Sequence, residues 1–371
     1  PTDSYAIAGL WPDPLPLYKK AETLDPGRNH PFWLSVKTPE NAAAGIYKGV
    51  VTLSSSDGWE YEVPLELEVW NFTLPSTPTI RSGFGFYPGM VARYNNLKTG
   101  EERRKSFDIY MKAFSDYKIA PYDPFELSPI RSTVSGIPWK GGLFDSRIKH
   151  SGKYSYRVED SSYSSCAEAS LRKRLPVDGG KEYTMKWWSR SQNDGQPFVV
   201  GIESFDADGK IIAFRSLYEE FTAGEQWKEY SYSLGILPKD ARTIKVRLFP
   251  SHRTSGGEGL GLVWFDDIAI SDDAGKNCLP SGNFEIDLDD IDISLDFSEF
   301  NEAARKYMGE GGFNAFRLNL KGIGSGYHAG RRGGVFEGFF QGTEEYAKLM
   351  KRYLEQMRAG LEEAGVLGKE Y

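Results

Sequence analysis

Arg317 and Asn319 combine residue type and spacing in the way most suggestive of chemistry. In the stretch Phe313 to Leu320, alternation turns Phe316, Leu318 and Leu320 to one face and Arg317 and Asn319 to the other. An Arg set inward needs a carboxylate or a ligand, because an unpartnered buried guanidinium is costly. A salt bridge inside the fold would meet the same need. The next segment carries Tyr327, His328, Arg331, Arg332 and Phe336 among eight glycines between Gly322 and Gly342. Glycine lets backbone approach a ligand closely, and long loops often carry function. A plain surface loop is the equal alternative. His328 is the best single candidate there for a polar contact with a ligand. Tyr87 and Asp123 close two further strand-like stretches and are weaker candidates.

Two more groups lie mid-chain. Along Tyr183 to Arg190, Tyr183, Met185, Trp187 and Ser189 share one face, and Thr184, Lys186, Trp188 and Arg190 the other. Trp188 on the polar face could stack on a pyranose, or be shielded by the stems of Lys and Arg neighbours. Trp227 and Trp264 read as core. Asp266 and Asp267 offer hard oxygen ligands that would suit a structural calcium, and a strand-end turn is an equally good role for them. No catalytic cofactor is implied. The four histidines are far apart without metalloprotease spacing. Gly322 to Gly326 is neither a nucleophile elbow nor a dinucleotide fingerprint.

The elements that must hold these residues fall into three patterns. Residues 1–79 look all-β: Phe32, Leu34 and Val36 alternate with polar neighbours, as do Val63, Leu65, Leu67 and Val69, and Ser54 to Gly58 reads as a hairpin turn. Residues 80–138 begin an α/β pattern. A strand at Arg81 to Tyr87 precedes a helix over 100–117 with Phe107, Tyr110, Met111 and Phe114 on one face, then a strand at Ile119 to Phe125. Residues 139–280 return to short strands split by Gly and Asp turns. From 281 the α/β pattern resumes with a strand at Asp292 to Phe297, the strand 313–320, and a helix over 343–364 carrying Tyr346, Leu349, Met350, Tyr353, Leu354 and Met357.

Bulk properties narrow the class. A chain of 371 residues requires two or three domains. A net charge of −7 and a pI near 5.4 argue against a general nucleic-acid or anionic-membrane binder. An aromatic content of 14% leaves rings available for stacking on sugars. No apolar run is long enough to span a membrane. Cys166 and Cys278 are the only cysteines and could form one bridge or remain thiols. The first residue is Pro1 and no signal peptide is visible, so the chain reads as a mature or trimmed segment.

The series Pro31 to Glu40, Ala44 to Leu53 and Leu65 to Pro75 resembles the N-terminal β-sandwich of glycoside hydrolase family 123-like proteins, the domain of unknown function 4091 type. His150 to Val158 and Trp264 to Ile270 resemble the first and last strands of a jelly-roll carbohydrate-binding module. Together they imply a multidomain β and α/β protein. Its parts would be an N-terminal β-sandwich, an incomplete (β/α)8 TIM-like barrel, and a jelly roll inserted over 139–280. In a barrel, catalytic groups sit at the C-terminal ends of the strands, so Arg317, Asn319, Tyr327, His328, Arg331, Tyr87 and Asp123 would share one rim.

The resemblance also implies an activity. The family carries an adjacent Asp-Glu pair on the next barrel strand and hydrolyses β-linked N-acetylhexosamine by substrate assistance, outside the usual two-carboxylate scheme. No residue of this chain matches that pair. The expectation is the non-catalytic portion of a β-N-acetylhexosaminidase or β-N-acetylgalactosaminidase-like parent, truncated before the pair. A protein that binds a glycan or cell-wall polymer without cutting it is the alternative. Either reading makes carbohydrate the partner and implies a secreted, periplasmic or cell-surface location.

Overall fold

The computed structural model describes residues 23–75, 77–162, 166–213, 218–252, 259–324 and 333–371. It divides into two compact units, Pro1–Pro75 and Ser76–Tyr371. In the first, β1 (Gly45–Ser54) and β2 (Glu60–Val69) pair antiparallel along their full length. The turn between them is the expected one, with Ser55 N–H donating to Trp59 O and Gly58 at φ 86°. Phe32, Leu34 and Val36 form no strand, although their alternation predicts one. The expected N-terminal sandwich is therefore represented, among the described residues, by one hairpin with exposed side chains.

The second unit begins with α1 (Pro88–Tyr94) and α2 (Gly100–Asp116). A capping box starts α2: Thr99 Oγ1 accepts from Glu102 N–H, and Glu102 Oε2 accepts from Thr99 N–H. Phe107 and Met111 bury the apolar stripe of α2. Strand β3 (Arg131–Ser135) leads into a run of short strands: β4 (Trp139–Lys140), β5 (Leu143–Asp145), β6 (Ser155–Asp160), β7 (Ala169–Leu171), β8 (Leu175–Pro176) and β9 (Glu182–Ser191). Then come β10 (Gln196–Phe205), β11 (Ile211–Ala213), β12 (Tyr218–Ala223), β13 (Lys228–Ile236), β14 (Thr243–Phe249) and β15 (Gly261–Asp272). The chain continues through β16 (Asp292–Asp296), α3 (Ser298–Ala303) with a π-helical turn Ala304–Glu310, β17 (Val335–Phe336), β18 (Phe339–Phe340) and α4 (Glu344–Glu363).

Strands β4 to β15 make two antiparallel sheets. One has the order β11-β10-β14-β7-β4, with β12 also on β10 and β8 on β14; the other is β13-β9-β15-β6-β5. Ring contacts join them: Phe198 of β10 meets Phe265 of β15 edge-on at 5.5 Å, and Trp187 of β9 meets Phe221 of β12 at 5.0 Å. Trp187 also stacks on Tyr230. Val200, Ile202, Val246, Leu248, Val158 and Val263 complete a core with no solvent exposure. This is a β-sandwich, and the turn read at Asp206 to Lys210 is its β10–β11 hairpin.

No barrel is seen among the described residues. Of the four strands expected in the barrel, residues 81–87, 119–125 and 313–320 form no continuous strand; Phe84 bridges Pro121 and Phe316 bridges Glu370, each by a single parallel bridge. Arg317 N–H donates to Tyr122 O between them. Strand β16 pairs antiparallel with β3, so Asp292–Asp296 is not a member of this parallel strip. It closes a two-stranded ribbon that brackets the sandwich. Helix α4 buries Tyr346, Leu349, Met350, Tyr353, Met357 and Leu361, whereas Leu354 is exposed. No helix among the described residues is long and apolar enough to cross a membrane.

Truncating Trp187 to Ala should lower unfolding free energy by about 3–5 kcal/mol, since its ring is fully buried between the sheets. Thr99→Ala should cost about 1 kcal/mol through the lost cap. Urea denaturation of both variants would check the two figures.

Candidate functional site

With the aromatic seam inside the sandwich, the alternate residues of each strand must look outward. On the seven-stranded sheet this outward face is polar where it need not be. Register aligns Ser170 of β7, Arg247 of β14, Gly201 of β10 and Tyr218 of β12 in one line across four strands. Arg247 Nη1 donates to both carboxylate oxygens of Glu168 at 2.5 Å, and its Nε lies 3.0 Å from Glu203 Oε1. Glu203 is 2% exposed and also accepts from the Tyr218 hydroxyl at 2.9 Å. The Tyr218 ring covers Gly201, where a Cβ would meet it at 2.4 Å. Lys245, opposite Glu203, has its pKa lowered by burial and by the cations Arg247 and Lys140. Buried charge networks seldom stabilise more than packed apolar groups would, and perturbed titratable groups of this kind cluster at functional sites as well as in structural ion pairs. This network escaped the sequence reading. Its trace is local, though: Glu203 is the one charge in β10, and Arg247 shares an otherwise largely apolar β14 with Lys245.

The outward face of the five-stranded sheet is different. One face of the half-buried Trp188 ring is covered by His150, which lies parallel to it at 3.9 Å. Trp264 is buried but is not a core residue. It faces outward, with Arg190 over its ring and its Nε1 donating to Asp145 Oδ2 at 2.8 Å.

Asp266 and Asp267 occupy a register shift in β15, with Asp267 at φ 49°. Asp266 Oδ2 accepts from the N–H groups of His150 and Ser151, and its Oδ1 accepts from Asp267 N–H. Asp267 Oδ1 accepts from Ser151 Oγ, and its Oδ2 lies 2.7 Å from His150 Nδ1. Three of the four oxygens thus hold the turn at 150–151, and the fourth, Asp266 Oδ1, is taken by Asp267 N–H. A calcium ion would have to displace these donors, so the pair does not fit the expected metal site. Among the described residues no group of three His, Cys, Asp or Glu could hold a metal.

The expected rim is assembled in part. Asn319 Nδ2 donates to Asp123 Oδ2 at 3.2 Å, and Arg317 lies 5.1 Å over the Tyr122 ring. Burial pushes the Asp123 carboxyl up, opposed by its bond from Phe125 N–H and by Arg317. Arg317 and Asn319 are exposed, contrary to the inward placement expected of them, because the parallel strip is open on that side. Tyr87 is exposed at the start of α1 and takes no part in these bonds. Tyr327, His328 and Arg331 lie outside the described residues.

No family model matches the chain, and no curated protein matches it. Among solved structures it is similar to the enzymatically active domain of bacteriophage CBA120 tailspike protein 4, at 12% identity and TM-score 0.29, over 40% of this chain and 20% of that one. The chain thus matches about a fifth of that protein. It is also similar to a CBM4 structure at 11% identity and TM-score 0.28, over 37% of this chain and 95% of that one. The C-terminal family 22 carbohydrate-binding module of Clostridium thermocellum Xyn10B follows at 19% identity and TM-score 0.27, over 42% and 92%. None of these matches is to glycoside hydrolase family 123.

Burial raises the Asp266 carboxyl to about 6, against the pull of its N–H donors. A raised carboxyl stabilises the fold below its unfolded value and loses that contribution as pH climbs through the folded one. Stability should therefore fall by about 2–3 kcal/mol between about pH 4 and pH 6 from this group. Asp266→Asn should flatten that window in denaturation curves taken at stepped pH.

Proposed function

We propose that the sandwich binds carbohydrate through the outward face of its seven-stranded sheet. The Glu168–Arg247–Glu203–Tyr218 network carries this reading. It sets fixed donors and acceptors in a line across the sheet, with an aromatic ring at one end. A saccharide offers the matching chemistry: hydroxyls along each edge and apolar C–H faces for the ring. The acidic balance of the chain disfavours nucleic acid as the occupant. Jelly-roll sandwiches also serve as lectins.

We propose further that the chain is the non-catalytic part of a glycoside hydrolase family 123-like protein of β-N-acetylhexosaminidase type. The Pro31 to Pro75 series supports this reading. Such a protein would act where polysaccharide is met, outside the cell or at its surface. The carboxylates Asp123 and Glu126, both raised by burial, are not an adjacent Asp-Glu pair.

Calorimetric titration with neutral oligosaccharides, including N-acetylhexosamine polymers, tests the binding. Tyr218→Ala should weaken it by about tenfold or more, equivalent to roughly 1.4 kcal/mol. Unchanged affinity in that variant would remove the sheet face from the proposal. The chain alone should leave aryl β-N-acetylhexosaminides intact; turnover in that assay would refute the non-catalytic assignment.

A further inference from the structure

A cleft of about 750 Å³ separates the edge of the sandwich from the β17–β18 hairpin. Its polar lining is Lys140, Arg157, Glu159, Arg172, Lys321 and Glu337. The hairpin wall is held firmly. Glu337 and Gly338 form its two-residue turn at φ 52° and 89°, the primed geometry that favours Asn or Gly at the first position. A Glu there is strained, and its side chain accounts for the choice. Glu337 is buried and takes Arg172 on one oxygen and Lys321 on the other, the latter at 2.6 Å. Phe144 N–H donates to Gly338 O at 2.9 Å, and the Phe144 and Phe339 rings stack at 4.9 Å.

The charge in this cleft is unbalanced. Four cations from separate stretches of chain converge on two carboxylates, in a protein whose net charge is −7. Both carboxylates are satisfied internally, Glu337 as above and Glu159 by Arg157 at 2.5 Å. Among the described residues Lys140 has no ion-pair partner, and the buried Arg157 Nε has no acceptor. The net positive charge gathered here would attract an anion from solution. Val335 and Phe340 add exposed apolar surface to the same walls. Lys140 pairs with Ser170 across β4 and β7, so the cleft begins where the line on the sheet face ends.

We propose that this cleft is a subsite for an acidic saccharide, a sugar bearing a carboxylate or a sulfate. Its ring would lie against Phe340, and its anionic group would meet Lys140, with Arg157 adding positive charge from the cleft wall. The inference rests on the carbohydrate-binding reading, because continuity with the sheet face selects a sugar over other anions.

The experiment is calorimetric titration of the full chain with trigalacturonic acid, a sulfated galactan oligosaccharide that lacks uronate and a neutral xylo-oligosaccharide of similar length. Each is run at about 50 mM and about 300 mM salt, which shortens the screening length by a factor of roughly 2.4. At least one acidic ligand should bind about tenfold tighter than the neutral one, and should weaken as salt rises. Uronate alone would assign a carboxylate subsite, sulfate alone a sulfate subsite, and both a shared one. Lys140→Met, at an exposed position without an ion pair, and Lys321→Met, which leaves Glu337 to Arg172, should each weaken acidic binding severalfold. Equal affinity for acidic and neutral ligands, or variants that bind as the unmodified chain does, would overturn the proposal. Displacement of the uronate by equimolar tripolyphosphate would overturn it too, by showing an unselective anion site. Acidic binding lost in Tyr218→Ala but intact in Lys140→Met would place the ligand on the sheet face, ending this inference while the broader reading survives. If no saccharide binds at all, both fall together.

Discussion

The aromatic seam between the two sheets governs most of what the second unit can do. Trp187, Phe198, Phe221, Tyr230 and Phe265 meet ring against ring at its centre. Once those side chains are inside, the two-residue period of each strand dictates which neighbours face out. A slip of one residue in β14 would bury Lys245 and Arg247 and expose Val246 and Leu248. The outward network on Glu203 and Arg247 therefore depends on a register that apolar burial enforces, and no hydrogen bond in the network needs to set it.

The hairpin Val335–Phe340 illustrates a trade between backbone and side chain. Gly338 supplies one left-handed position without strain, and its lack of a Cβ lets Phe144 approach it closely. Glu337 supplies the other at a cost that Gly or Asn would avoid. What the Glu adds is a carboxylate between two cations that come from different parts of the unit. Strain retained where a smaller residue would relieve it is a common mark of a shaped site. The same logic applies to Asp267, whose left-handed backbone turns two carboxylates onto one turn of the sandwich.

Much of the framework was legible in the sequence, because its causes are local. The helical period placed α2 and α4, although Tyr110 and Leu354 of their expected faces are exposed, and the Gly and Asp turns divided the strands at Gly58 in the first unit and Gly209 in the sandwich. Alternation also separated Phe316 from Arg317 correctly by face. Local pattern misled where neighbours decide the outcome. Phe32, Leu34 and Val36 alternate like a strand but find no partner strand among the described residues. Trp188 looked open until His150, thirty-eight positions away, lay on it.

By itself the sequence determined where the two long helices, most sandwich strands and their turns lie, and for most of these which face is apolar. These follow from side-chain period and backbone preference within a few residues. Only the tertiary structure decided which polar groups meet. Arg172 finds Glu337 from 165 positions away, Arg247 finds Glu168 from 79, and the carboxylates of Asp266 and Asp267 close on the turn at His150. Such pairings arise from sheet order and register over long loops. The entropy of closing a loop varies too slowly with its length to leave a trace of its partner in the sequence.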